Sequence, residues 1–209
     1  MAILLTLRLF GGSVFYTGDI SKNLCHPVII LLSVFLPISI FYMNKIIFTE
    51  EFCQPENLHP FTLTRQIQDI RAGIFTIREK WEMMLGLPSY DKNEDDYKDQ
   101  HRSVNLEEAV GNGCCFIVHG NVLPTPQLIK AVKRLKNGEF IEAGKGNHIV
   151  YRVSKNEIID RHKIKVGKAV VFKEDLSTGA GIKTIQYPWD IFQLNDWALR
   201  QDFKWIIAK

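Results

Sequence analysis

The chain reads as an α/β domain built on a mostly parallel sheet, preceded by an apolar leader. Three observations point there. Short apolar runs suited to buried strands, Lys45–Thr49 and Cys115–His119, alternate with stretches whose apolar residues recur at helical spacing. Two of those stretches carry start and stop signals for helices. The composition, 46% apolar over 209 residues with a net charge of +3, supplies a sizeable core and too little positive charge to suggest nucleic acid as a partner.

The leader comes first. Residues 1–42 differ from everything after them, and the uncharged stretch Leu24 to Asn44 includes VIILLSVFLPISIFYM. About 20 apolar residues cross a bilayer, so this length suffices only if Pro27 and Pro37 are tolerated. No A-x-A-like cleavage site follows, and Arg8 and Lys22 on one side face Lys45 on the other, so charge does not orient it. The strand Lys45–Thr49 would begin with no linker after the membrane. Met43 is therefore read as the functional start, giving a domain over 43–209. Residues 1–42 are either a membrane segment or an extension from a misassigned start.

The next element is a helix over Thr76–Leu85. Thr76 and Glu79 form a T-x-x-E capping box, Ile77, Trp81, Met84 and Leu85 make the apolar stripe, and Gly86 and Pro88 stop it. Arg78 and Lys80 are expected to face solvent. Tyr90 to Asn105, highly charged and almost free of aliphatic residues, reads as a surface excursion. Adjacent Cys114 and Cys115 on a strand point to opposite faces, and with Cys25 and Cys53 they show no C-x-x-C spacing, which suits reduced thiols rather than zinc.

Thr125 and Pro126 open a second helix with the stripe Leu128, Ile129, Val132 and Leu135, closed by Gly138. Lys130, Lys133 and Lys136 form its solvated face. Phe140–Ala143 and His148–Val153 read as a β-hairpin around Gly144-Lys145-Gly146-Asn147, a turn and not a P-loop, since the G-x-x-x-x-G-K-[ST] spacing is missing. Lys168–Lys173 is a further strand, Ser177–Gly181 a loop with weak phosphate-cradle character, and Pro188-Trp189-Asp190 opens a short helix.

For chemistry, the segment LHPFTLTRQIQDIRAGIFTIREKW from Leu58 is the richest. It sets Arg65 and Arg71, with Thr64 and Asp69, in a turn-rich stretch ahead of the capped helix. Guanidinium is planar, permanently charged and able to hold phosphate bidentately, so an anion such as a nucleotide phosphate suits this pair. The alternative is that both arginines pair with Asp69 or surface carboxylates.

This segment, the opening MNKIIFTEEF, FIVHGNVLP from Phe116 and YPWDIFQLN with the later Asp202 resemble a Bacteroidetes-type family related to the bifunctional N-acetylglucosamine-1-phosphate uridylyltransferase/acetyltransferase, in its sugar nucleotidyltransferase-like half. The resemblance implies a Rossmann-like nucleotide-diphospho-sugar transferase fold. It implies transfer of a nucleotidyl group from a nucleoside triphosphate to a sugar-1-phosphate, with Mg²⁺ as cofactor. On this chain it implies Arg71 and Asp190 as catalytic residues, Thr64, Arg65 and Asn121 as nucleotide or phosphate contacts, and Asn195 and Asp202, seven residues apart on one helical face, as sugar contacts. It also implies a cytoplasmic protein, with anchoring through 24–44 as the alternative, and a homo-oligomer formed through a left-handed β-helix acyltransferase half that this sequence lacks.

Two departures qualify the resemblance. The loop after the first strand is TEEFCQPEN, without the glycines of the G-x-G-T-R pattern and with Glu50 and Glu51 set to repel a triphosphate. At His119-Gly120-Asn121 a neutral amide stands where the wider pattern has a metal-holding carboxylate, and Arg71 lies near the position of an expected lysine. A non-catalytic domain that binds a sugar nucleotide, or packs in a regulatory role, is the second expectation.

Overall fold

The computed structural model describes residues 7–9, 12–14, 44–51, 53–92, 103–111, 113–142, 148–160, 163–165, 167–172 and 181–208. Strands β1, Leu7–Leu9, and β2, Gly12–Val14, pair antiparallel in a compact unit spanning Met1–Phe41. The second unit, Tyr42–Lys209, contains everything that follows. Residues 24–43 of the expected leader lie outside the described residues. Among the described residues no helix is long and apolar enough to cross a membrane.

A seven-stranded sheet forms the centre of the second unit, in the order β12-β8-β9-β6-β3-β4-β5. Its members are β3 (Lys45–Thr49), β4 (Ser89–Lys92), β5 (Ser103–Val104), β6 (Cys114–His119), β8 (Phe140–Glu142), β9 (His148–Ser154) and β12 (Ala169–Val171), while β7 (Val122–Leu123) pairs with β13 (Lys183–Thr184) and β10 (Ile158–Asp160) with β11 (Lys163–Ile164). Only β9 runs against the others, because it pairs antiparallel with both β6 and β8 while the remaining pairings are parallel. The predicted α/β class with a mostly parallel sheet is thus what forms. The pairing of β8 with β9 realises the predicted hairpin, while its turn, 144–147, lies outside the described residues.

Alternation in the central strands sorts side chains to two covered faces. Ile46, Phe48, Phe116 and Val118 enter the larger core with Ile77 and Trp81 of α1 (Ile77–Leu85) and Leu128, Ile129 and Val132 of α3 (Pro126–Arg134). Ile47, Cys115 and Ile117 face the other way, against Leu106, Ala109 and Val110 of the short α2 (Leu106–Val110). Trp81 keeps its indole N–H satisfied by donating to the Val122 carbonyl at 2.8 Å.

Both halves of the capping box on α1 are formed: Thr76 Oγ1 accepts from the Glu79 N–H at 3.2 Å, and Glu79 returns a carboxylate oxygen to the Thr76 N–H at 2.7 Å. Gly86 closes the helix at φ +69°, a left-handed turn that favours glycine. Thr76→Ala is expected to lower unfolding stability by about 1 kcal/mol in denaturant melts. An unchanged midpoint would mean that packing alone sets this helix start.

Three expectations need correction. The stretch Tyr90–Asn105 is not an excursion throughout: its described ends form parts of β4 and β5, and its charges are tolerated in a strand because Asp91 is paired from below by Arg78 at 2.6 Å. Gly138 does not end α3, which ends at Arg134 with Leu135 as its cap; at φ +80° it instead turns the chain into β8 and donates its N–H to the Arg152 carbonyl at 2.8 Å. The last helix is long, α4 running Pro188–Ile207 over 20 residues, since no glycine or proline interrupts the sequence after Pro188.

Candidate functional site

Strand β3 lies between β4 and β6, and the chain leaving it turns through α1 to β4 on one side while β6 comes back on the other. In open α/β sheets this reversal leaves a crevice outside the carboxyl ends of the two strands. Here those ends are Thr49-Glu50 and His119-Gly120-Asn121, and a pocket of about 220 Å³ opens beside them. Leu58, Ile67 and Ile185 give its apolar lining, the amides of Gln54, Asn57, Asn121 and Gln186 its polar groups, and Tyr187 an aromatic wall. Tyr187 stacks on Trp189 with centroids 4.7 Å apart and planes 10° from parallel. Among the described residues no cationic side chain lines the pocket.

Local chemistry fixes each wall. The loop after β3 closes without glycine: the Glu50 carbonyl accepts from Cys53 N–H at 2.8 Å, and the Glu50 carboxylate turns inward to accept from the Ile67 N–H at 2.8 Å. Glu51 pairs with Lys92 at 2.9 Å. The two glutamates expected to repel a triphosphate therefore have internal work. On the opposite wall Gly120 N–H donates to the Thr49 carbonyl at 3.0 Å, and a Cβ on Gly120 would sit 2.6 Å from Gln68 Oε1, so a larger residue there would displace the Gln68 amide. Ile185 N–H donates to the Asn121 carbonyl at 2.9 Å, which ties the segment before α4 to the end of β6.

Beneath the crevice lies a buried charge network that sequence reasoning missed. Arg78 and Lys80, expected to face solvent, are 2% and 3% exposed. Arg78 Nε and Nη2 donate to the two carboxylate oxygens of Asp69 at 2.6 and 3.2 Å, Nη2 also reaches Asp91 Oδ1 at 2.6 Å, and Nη1 donates to Ser89 Oγ at 3.2 Å. Burial pulls the Arg78 pKa down, and the bonds to Asp69 and Asp91 outweigh it and hold the value raised. Gln68 Nε2 adds a bond to Asp91 at 2.7 Å. The readable signal was angular: at about 100° per residue, Arg78 and Lys80 flank the arc of Ile77, Trp81, Met84 and Leu85 and cannot both escape it.

His119, at the end of β6 and 4% exposed, has its pKa pushed down to about 4 from 6.5 by burial, with His148 adding repulsion and Glu51 opposing. The folded state thus refuses a proton that the unfolded chain takes up below about pH 6.5. Stability is complete above that value and falls as pH drops toward 4, by up to about 3 kcal/mol at the limit. Equilibrium unfolding at pH 7 and pH 4.5 is expected to show this loss in the wild type and to show it reduced in His119→Gln. Equal acid sensitivity in both proteins would remove His119 as its source.

The residues singled out from sequence fall into separate groups. Asn121 lines the pocket, and Asp190 stands at its rim, where Oδ2 accepts from the N–H groups of Gln186 and Tyr187 at 2.8 and 2.9 Å and caps α4. Arg71, Asn195 and Asp202 gather instead around the loop 71–76. Arg71 is exposed and its guanidinium donates to the Ile74 carbonyl. Asn195 Oδ1 accepts from Gly73 N–H at 2.9 Å, and Asp202, fully buried, accepts from Ile74 N–H at 2.8 Å and pairs with Lys80. Thr64 and Arg65 are exposed on the stretch between two 3₁₀ turns, and Arg65 makes no hydrogen bond or ion pair among the described residues. Arg65 and Arg71 share no hydrogen-bond partner among the described residues.

The Mg²⁺ that the resemblance implies needs hard, charged oxygen donors. Asn121 offers a neutral carbonyl, and Glu51, Asp69, Asp91 and Asp202 are each ion-paired. Among the described residues no three His, Cys, Asp or Glu side chains are arranged to hold a metal.

The family profile described as sugar nucleotidyl transferase matches residues 46–209, and the chain belongs to that family. No curated protein matches it.

Proposed function

We propose that this member of the sugar nucleotidyl transferase family seats the nucleobase or sugar of a nucleotide sugar in the Asn121 pocket, and transfers a nucleotidyl group from a nucleoside triphosphate to a sugar-1-phosphate. The observation that carries the reading is the pocket's place and lining: it lies at the sheet's point of reversal and, among the described residues, presents amides and an aromatic wall without a cation. Amides exchange directional hydrogen bonds with a base or with sugar hydroxyls, and an aromatic face stacks on either.

In the transfer, a phosphate oxygen of the sugar-1-phosphate forms a bond to the α-phosphorus, the bond from that phosphorus to the oxygen bridging to the β-phosphate breaks, and pyrophosphate leaves. Negative charge on the phosphates requires cations nearby, a role assigned to Arg71 with Arg65. Arg71 already presents its guanidinium at a carbonyl, an oxygen that a phosphate replaces with a charge-assisted partner. Asp190 orders the pocket rim by holding the Gln186 and Tyr187 amides. The resemblance to the Bacteroidetes-type bifunctional proteins supports a cytoplasmic setting and a β-helix acyltransferase partner.

Calorimetry with uridine and thymidine nucleotides and their sugars tests binding. Tyr187→Ala is expected to weaken it by about tenfold, consistent with about 1–3 kcal/mol for a stacked base, and Arg65→Ala is expected to weaken triphosphates more than nucleosides. Absence of heat with every ligand would overturn the reading. Pyrophosphate release over a panel of triphosphates and sugar phosphates, abolished by Arg71→Ala, tests turnover.

A second reading, a binding domain without turnover, is favoured by Asn121 standing at the carboxylate position. It predicts the same heats of binding and no pyrophosphate in any combination.

A further inference from the structure

Helix α4 buries one side and leaves the other bare. Ile191, Ala198 and Asp202 face the core, whereas Trp189, Phe192, Phe203 and Ile207 are 55, 71, 55 and 79% exposed. At about 100° per residue these four fall, together with Asp196 and Arg200, within about 80° of arc, so they form a single stripe. Large apolar side chains gathered on one helical face are costly in water and mark a contact surface.

The order along the stripe is what identifies its occupant. It reads apolar, apolar, acid, base, apolar, apolar, and is close to symmetric about position 198. Asp196 and Arg200 form an i,i+4 ion pair at 2.9 Å with side chains 75 and 74% exposed, so both remain able to reach outward. We infer that this face binds a second copy of the chain through antiparallel pairing of α4 with α4. With a two-fold axis over the turn between Asp196 and Arg200, each Asp196 meets the partner's Arg200. Each Phe192 then lies against the partner's Phe203, and each Ile207 reaches the partner's Trp189. A self-complementary patch of this kind is what an isologous two-fold interface requires. Parallel pairing is disfavoured because it sets Asp196 against Asp196 and Arg200 against Arg200. The charges therefore fix direction and register while the apolar residues supply the contact area.

None of the six residues lines the pocket, and although Trp189 stacks on its wall Tyr187, the variants that test the dimer change only Asp196 and Arg200. Sedimentation equilibrium on the full chain tests it. The wild type is expected to weigh near twice its 24.1 kDa. Asp196→Arg makes the centre of the stripe wholly basic and Arg200→Asp makes it wholly acidic, so each variant alone is expected to dissociate at least tenfold more readily. An equimolar mixture of the two is expected to restore the dimer, because every basic centre then meets an acidic one. Both positions are exposed, and unchanged far-ultraviolet circular dichroism confirms that each variant is folded. A wild type that stays monomeric to hundreds of micromolar overturns the inference and leaves the face to another protein. Two variants that dimerise like the wild type, or a mixture that stays monomeric, overturn it equally.

Discussion

Replacing Arg78 by alanine is expected to destabilise the domain by about 3–5 kcal/mol, a large share of the about 5–15 kcal/mol that holds an ordinary domain folded. The reason is asymmetry. Arg78 is 2% exposed and lies between two carboxylates, and Asp91 is itself buried. Removing the guanidinium leaves the Asp91 carboxylate with neutral amide donors, those of Gln68 and Gln66, in a low-dielectric interior, so either a charge stays unpaired or the group takes up a proton. The guanidinium also covers the Phe48 ring at 5.2 Å, so alanine leaves a void against the strand. Arg78→Met with Asp91→Leu, which removes both charges and keeps the volume, is expected to recover most of the loss. Denaturant unfolding of the two singles and the double closes the cycle. If Arg78→Ala melts within about 1 kcal/mol of the wild type, the network does not hold α1 to β4.

This network also shows where sequence reading stopped. Strand β3 and the capped helix α1 were legible residue by residue, because alternation, the Thr76–Glu79 box and Gly86 act within a single turn or strand. The seven-residue spacing of Asn195 and Asp202 likewise predicted a shared face, and both do address one loop. What they address was not legible, since Gly73 and Ile74 lie more than a hundred positions away in sequence. The same holds for Arg78 and Lys80. A charged residue is placed outside by default, and only a partner delivered by the fold, Asp91 from the next strand or Asp202 from the last helix, reverses that default. The pocket drew Asn121 from the motif comparison, whereas Tyr187 went unmarked because an aromatic next to Pro188 reads simply as a helix start.

Asp202→Ala is expected to be comparably severe, and for a reason that touches function. Asp202 is fully buried and does two things at once: one carboxylate oxygen pairs with Lys80, the other accepts from the Ile74 N–H at 2.8 Å. Alanine leaves Lys80 buried at 3% exposure beside the Phe75 ring without its counter-charge, and frees the Ile74 amide, for a loss of about 3–5 kcal/mol. Burial already pulls the Lys80 pKa below its ordinary value despite Asp202, so the variant lysine is expected to shed its proton rather than keep an unpaired charge. Asp202→Asn separates the two duties, because an amide oxygen still accepts from Ile74 while the charge partner of Lys80 is gone. If the loop bond matters for placing Arg71, Asn keeps more of the Arg71-dependent ligand affinity than Ala at equal fraction folded. Asn195→Ala, which removes only the exposed acceptor for Gly73, is expected to cost about 1 kcal/mol. Calorimetry on the folded fraction of each variant, compared with Arg71→Ala, decides the point: losses that do not add place Asp202 and Arg71 in one unit, and losses that add in full would mean that α4 holds the loop without positioning its arginine.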